Sequence, residues 1–147
     1  MRLAVVILIA LPLAAADLTL KLLRETPDWA HHERSAGWLA LCLVVLCGLL
    51  LAVRVPSWFV PPAAGVLAGG VLGNAGSAIW NGLAVPNPIV LVGERSVIAF
   101  NLADVWVVVG LSLLLGSIGA WLVCNRHGLP EPHAVPAAVV RSLRRGR

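Results

Sequence analysis

Four polar residues stand in or next to long apolar runs of this chain: Asp17, Lys21, Asn74 and Asp104. Ionisable groups at membrane depth cost a few kcal/mol and usually have a functional reason. Counted by helical rise, all four fall near the same boundary of the apolar segments, and a single site requires such a common depth. Asn74 is the hardest to explain structurally, because a buried amide needs hydrogen-bond partners.

The same residues can also be explained by purely structural roles. Asp17 and Lys21 are spaced i,i+4, so they could simply pair while Lys21 extends outward to the interface. Asn101 and Asp104 form N-x-x-D, the pattern of a helix start with Asn as cap and an acid in the first turn. From these residues alone, Asp104 is equally a helix-start acid or a site residue.

The composition favours the bilayer as the solvent of this protein. Of its 147 residues, 59% are hydrophobic and 12% charged, and the mean hydropathy is +0.90. A water-soluble domain of this size would need more polar residues to cover its surface. The adjacent His31 and His32 favour a solvated loop over a metal site, and we expect Cys42, Cys47 and Cys124 to be reduced packing residues. No metal and no cofactor is predicted.

Four segments are long and apolar enough to cross the roughly 30 Å hydrocarbon core. They predict an all-α membrane protein, a four-transmembrane-helix bundle over residues 1–125 with spans at about 3–23, 36–54, 56–80 and 103–125. The segment 81–103 is interrupted by Pro86, Pro88 and Gly93, and it predicts a short extracytoplasmic loop or strand region, with strands near 89–92 and 96–100. Residues 1–16 also resemble a cleavable signal peptide, but Pro12 and the single basic residue favour a retained first span.

The charge distribution predicts that both termini are cytoplasmic. This orientation puts seven of the eleven basic residues inside and all acidic residues except Glu131 outside, in accord with the positive-inside bias. The six Trp residues then lie at the two interfaces: Trp29, Trp38, Trp80 and Trp106 outside, Trp58 and Trp121 inside. Residues 126–147 read as a basic cytoplasmic tail that serves as a topology signal or contacts anionic lipid, and nucleic-acid binding is not expected.

Small residues recur every four positions in the third segment, which predicts close helix packing. Gly65, Gly69, Gly73 and Ser77 form this stripe, and a weaker stripe in the fourth segment consists of Ser112, Gly116 and Ala120. We expect the third helix to make the tight contacts of the bundle, with the fourth helix as its candidate partner.

Three motifs, in order along the chain, resemble those of the lipoprotein signal peptidase (signal peptidase II) family. Asp17-Leu-Thr-Leu-Lys21 is similar to the family's D-x-x-x-K, Gly69-Gly-Val-Leu-Gly-Asn74 to its G-G-A-x-G-N, and Phe100-Asn-Leu-Ala-Asp104 to its F-N-x-A-D. The resemblance covers roughly residues 10 to 115. It implies a four-span aspartic endopeptidase of the bacterial inner membrane, with Asp104 as one catalytic acid and Asp17, Lys21, Asn74 and Asn101 binding substrate or supporting the site.

The sequence departs from the family where the second catalytic acid belongs. Ser77 and Ala78 stand in place of the family's D-R, and Pro86, with Asn87 beside it, stands where the other catalytic Asp is expected. No Asp lies between Asn74 and Asp104. Aspartic proteolysis needs two carboxylates that share a proton, so whether the chain is an enzyme stays open. The departures favour a catalytically impaired protein that binds lipoprotein signal peptides, lipid or a membrane partner.

Two alternatives remain. The first is an active lipoprotein signal peptidase whose second acid is displaced, with Glu94 as its candidate. The second is a structural subunit of a membrane complex, in which the polar residues serve folding alone.

Overall fold

Four long helices make up most of the computed structural model, which describes residues 1–126. They are α1 Arg2–Leu23, α2 Ala36–Ala52, α3 Val60–Trp80 and α4 Leu102–Cys124. Three of them, α1, α3 and α4, are long and apolar enough to cross a membrane, whereas α2 is a shorter apolar helix of 17 residues. The predicted basic tail, apart from Arg126, lies outside the described residues.

The helix ends follow from local sequence. Ser35 caps α2 by accepting a hydrogen bond from the Trp38 backbone N–H at 3.1 Å. Helix α3 begins at Val60, four residues after the start predicted for the third span, and Pro61 and Pro62 occupy its first turn, where a missing N–H costs nothing. After α3 the chain reverses through Gly82 (φ 62°) and Leu83 (φ 76°), and Leu83 holds a left-handed conformation that is unusual for a leucine.

Two small antiparallel pairs of strands connect the helices. Strand β1 (His31–Glu33) pairs with β2 (Ala84–Pro86), and His31 lies opposite Pro86. Strand β3 (Ile89–Val92) forms a hairpin with β4 (Val97–Phe100), and Ile89 lies opposite Phe100. The chain therefore has strands at 89–92 and 97–100, whereas the β1–β2 pair was not foreseen.

Helix α3 is the centre of the bundle and packs closely on both α1 and α4. Its glycine stripe faces α1: a Cβ at Gly65 would lie 2.9 Å from Ile9 Cβ, and one at Gly69 would lie 2.8 Å from Leu13 Cβ. The fourth helix is a close partner of α3, as expected: a Cβ at Gly73 of the stripe would also lie 3.2 Å from Ala103 Cβ, and α4 packs in addition on the neighbouring face of α3. There a Cβ at Gly70 would lie 2.6 Å from the Ala103 carbonyl oxygen.

The weaker small-residue stripe predicted for the fourth helix does not pack against another helix. Ser112, Gly116 and Ala120 are all exposed, and a Cβ at Gly116 would meet nothing within 4 Å. The close approach is made instead by Gly110, where a Cβ would lie 2.3 Å from the Leu67 backbone nitrogen. A side chain at position 110 would therefore push α3 and α4 apart.

The outer surface of the bundle is apolar. Leu8, Val44 and Leu115 are 72%, 66% and 62% exposed, and water-soluble helical proteins bury such side chains along one face of each helix. Because large apolar residues surround the helices, the surface fits lipid rather than water as its surroundings.

Candidate functional site

Asp17 and Lys21 form a buried ion pair on α1, one turn apart. Asp17 Oδ2 lies 2.6 Å from Lys21 Nζ, and the Asp17 side chain is fully buried. The other carboxylate oxygen, Oδ1, accepts a hydrogen bond at 2.8 Å from the backbone N–H of Ala103 in the first turn of α4. The pair therefore joins the C-terminal end of α1 to the beginning of α4.

Lys21 points into the bundle and does not extend to the interface. Its Nζ donates to Asn74 Oδ1 at 2.9 Å and to Ser77 Oγ at 3.1 Å, both on α3. The structural reading in which Lys21 reaches outward is wrong, because these two acceptors and Asp17 satisfy its three N–H groups inside the protein.

Asn74 connects the ion pair to Asp104. Its Nδ2 donates to Asp104 Oδ1 at 2.8 Å, so one amide bonds Lys21 through its oxygen and Asp104 through its nitrogen. The buried amide of α3 thus has the partners that its position demanded.

Asn101 and Asp104 form a complete capping box at the start of α4. The Asp104 backbone N–H donates to Asn101 Oδ1 at 2.9 Å, and the Asn101 N–H donates to Asp104 Oδ2 at 3.2 Å. The helix-start reading of N-x-x-D is correct, and Asp104 still contacts Asn74. Asp104 can therefore belong both to the helix cap and to the candidate site. All five predicted residues lie in one hydrogen-bonded cluster: Asp17, Lys21, Asn74, Asn101 and Asp104.

The position at which the family resemblance would place a second acid lies next to this cluster. Asn101 Nδ2 donates to Asn87 Oδ1 at 2.5 Å and to the Pro86 carbonyl oxygen at 3.4 Å. Asn87 is 1% exposed, and its Nδ2 lies 3.1 Å from His32 Nδ1. Here the chain places a neutral amide that neither takes up nor releases a proton near pH 7.

Glu94, the candidate for a displaced second acid, lies far from Asp104. It is exposed in the turn of the β3–β4 hairpin, beyond the last strand pair Val92–Val97. The four residues of β4, from Phe100 back to Val97, already span about 10 Å, and Glu94 lies beyond them. In this arrangement Glu94 and Asp104 are too far apart to share a proton.

Two cavities open beside the cluster, on different sides of α3. One, of about 310 Å³, lies among α2, α3 and α4, is lined by Asn74 and Asp104, and also contains Arg34 and Trp38 in its wall. The other, of about 400 Å³, lies between the C-terminal ends of α1 and α3 and is lined by Lys21, Ser77, Asn81 and Pro86, together with apolar residues. Asp104 and the side chain at position 86 therefore face different cavities.

Three further residues of the site carried little signal in the sequence. Ser77 accepts from Lys21 although it belongs to the small-residue stripe, and a hydroxyl three residues after Asn74 was the only indication of this role. Arg34 stacks over the Trp38 ring at 5.0 Å from the centroid, just before α2, and both line the Asp104 cavity. His32 reaches Asn87 only because β1 pairs with β2.

The histidines and cysteines form no metal centre in the part of the chain that the structure describes. His31 Nδ1 lies 3.1 Å from the Pro27 carbonyl oxygen, and His32 faces Asn87. Residues 1–126 contain no group of three or more His, Cys, Asp or Glu side chains arranged to hold a metal ion. Cys42, Cys47 and Cys124 are free thiols.

The fold and the apolar exterior define a helical membrane protein. A solved structure described as a bacterial membrane enzyme, determined by the in meso method at 2.3 Å resolution, has a similar fold. The similarity covers 87% of this chain and 93% of that one, with a TM-score of 0.61 and 18% sequence identity. No protein-family model matches the chain, and no curated protein matches it either.

Proposed function

We propose that this chain is a signal-peptidase-II-like integral membrane protein that binds a membrane ligand at Asp104 and does not cleave peptide bonds. In this proposal all four helices span the bacterial inner membrane, both termini are cytoplasmic, and the strands lie on the outer side. The ligand is a lipoprotein signal peptide, a lipid or a membrane partner. The observation that carries the proposal is the neutral surroundings of Asp104: its carboxylate bonds the Asn74 amide and the Asn101 backbone N–H, and the Asn101 side chain in turn bonds Asn87, where a second acid would be expected nearby.

The chemistry of aspartic proteolysis supports the absence of cleavage. One carboxylate activates water while the other acts as an acid, and the two must share a proton at close range. Asp17 does not supply the second carboxylate, because one of its oxygens bonds Lys21 and the other bonds the Ala103 N–H. Removing one member of such a unit abolishes nearly all turnover.

The two alternatives are less well supported. An active peptidase with a displaced acid requires Glu94 to cross the length of the hairpin. If the protein is purely structural, the 310 Å³ cavity beside Asp104 has no function, yet an acid and a guanidinium are both among its lining groups.

A cleavage and binding assay with a diacylated prolipoprotein tests the proposal. We expect no cleavage by the wild-type protein, and we expect saturable binding that Asp104→Asn weakens about tenfold, the loss of one charge-assisted hydrogen bond. Glu94→Gln is the matched control, because it also removes a carboxylate but at an exposed position outside the cavity. Cleavage that Asp104→Asn abolishes would establish the active peptidase instead. If the protein binds neither prolipoprotein nor lipid, the structural subunit is favoured.

A further inference from the structure

The cavity beside Asp104 contains two opposite charges that do not neutralise each other. Arg34 and Asp104 both line it, and no ion pair links them within the described part of the chain. The Arg34 Nε is buried and has no hydrogen-bond partner among residues 1–126. An uncompensated buried donor on a charged group is costly, so a ligand that supplies an acceptor there gains free energy.

The Asp104 carboxylate can accept further hydrogen bonds from a ligand in the same cavity. Each of its carboxylate oxygens accepts one hydrogen bond, Oδ1 from Asn74 and Oδ2 from the Asn101 backbone. A carboxylate accepts about four hydrogen bonds in total. A cationic donor that enters the cavity can therefore bond Asp104 while the capping box stays intact.

Apart from Asn74, the rest of the cavity wall is mainly apolar and continues onto the exposed apolar surface. Val45 and Val108 contribute to it from α2 and α4, and Val108 is 65% exposed. A ligand with an apolar tail can therefore place its polar end between Arg34 and Asp104 and leave its tail along the groove between the two helices.

We infer that the ligand of this cavity is a zwitterionic phospholipid whose headgroup carries a primary ammonium. Its phosphate would accept from the Arg34 guanidinium, and its ammonium would donate to Asp104. A phosphatidylglycerol headgroup has no cation for Asp104, and a choline headgroup has a cation without an N–H donor. The inference rests on the proposed function, since it names the ligand of the same site.

Lipid retention by the purified, delipidated protein in detergent tests this assignment. Phosphatidylethanolamine, phosphatidylcholine and phosphatidylglycerol with the same acyl chains are titrated separately, and bound lipid is counted by native mass spectrometry. We expect the ethanolamine lipid to bind about tenfold more tightly than the other two. Asp104→Asn should remove the tighter binding of the ethanolamine lipid relative to the choline lipid. Arg34→Gln should weaken the binding of both the ethanolamine and the choline lipid, because both carry the phosphate.

The Arg34 variant keeps the test valid if Asp104→Asn destabilises the start of α4, and Glu94→Gln should bind like the wild type. Three outcomes in folded protein would overturn the inference: equal retention of the three lipids, a preference for ethanolamine over choline that survives Asp104→Asn, or unchanged binding of both lipids by Arg34→Gln. If a diacylated signal peptide nevertheless binds in an Asp104-dependent way, the proposed function stands without it. If neither the lipids nor the peptide depends on Asp104, both proposals fail.

Discussion

Two carboxylates form hydrogen bonds at the beginning of α4, and these bonds explain why charged side chains are tolerated inside the helix bundle. Asp17 accepts from the Ala103 N–H, and Asp104 occupies the third residue of the helix inside its capping box. The first N–H groups of a helix lack partners within it and carry partial positive charge. Asp17 therefore interacts with both the Lys21 ammonium and the positive end of α4, and its burial is compensated twice.

Breaking the ion pair from the lysine side should be costly. Lys21→Met leaves the fully buried Asp17 carboxylate without its cation, and we expect the free energy of unfolding to fall by about 3–5 kcal/mol. The double variant Asp17→Asn, Lys21→Met should lose less than the sum of the two single variants, because the uncompensated charge is gone while an acceptor for Ala103 remains. Denaturant unfolding in detergent micelles, followed by circular dichroism, measures this coupling.

Arg24→Met is the control for this cycle. Arg24 is exposed and follows the last residue of α1, so its substitution removes a charge near the same helix end without uncovering a buried partner. Strictly additive single and double variants at positions 17 and 21 would show that the pair contributes no coupling energy.

At the residue scale the sequence selected side chains that the structure brings together, but it did not predict the direction of one of them. Spacing and depth were enough to select Asp17, Lys21, Asn74 and Asp104. Whether Lys21 points outward or inward depends on its acceptors on α3, 53 and 56 residues away. No local pattern encodes such a long-range contact.

Helix α3 packs on two neighbours at once because it has small residues on two faces. Gly65 and Gly69 admit α1, while Gly70 and the turn at Leu67 admit α4. A four-residue spacing of small residues predicts a close helix contact, but it does not say which partner fills the groove. The sequence thus predicted the role of α3 and named α4 as a partner, but it did not predict that α1 packs against the glycine stripe.

Two glycines of α4 provide a matched test of this packing. Gly110→Ala places a methyl group 2.3 Å from the Leu67 backbone nitrogen, so the helices must separate. We expect a loss of about 1–3 kcal/mol from this overpacking, despite the higher helix propensity of alanine. Gly116→Ala, in the same helix with no neighbour within 4 Å, should keep or raise stability. Thermal unfolding in detergent compares the two, and equal melting temperatures would contradict the close α3–α4 contact.

For the whole molecule, the order and approximate bounds of the helices followed from hydropathy, whereas the β1–β2 pair did not. Its strands are three residues each, lie on either side of α2 and α3, and include the polar sequence His31–Glu33. Strands this short carry no usable periodicity. This pair nevertheless brings His32 to Asn87 and so completes the surroundings of the candidate site.

The number of membrane crossings depends on α2. Its 17 residues give a length of about 26 Å, slightly less than the hydrocarbon core of roughly 30 Å. Helix α2 nevertheless has no charged residue between Ala36 and Ala52, and a short apolar helix can be accommodated by local thinning of the bilayer. We therefore predict that α2 crosses the membrane, so that residues just before it and just after it lie on opposite sides.

Single cysteines on either side of α2 test this crossing. In a background with alanine at Cys42, Cys47 and Cys124, Glu25→Cys and Pro56→Cys place thiols at exposed positions before and after the helix. In intact cells a membrane-impermeant maleimide should label position 25 after mild outer-membrane permeabilisation. It should label position 56 only when the inner membrane is opened, because the positive-inside bias puts Arg54 in the cytoplasm. If both positions are labelled from the same side, α2 does not cross the membrane, and the two chain ends then lie on opposite sides, since three crossings remain.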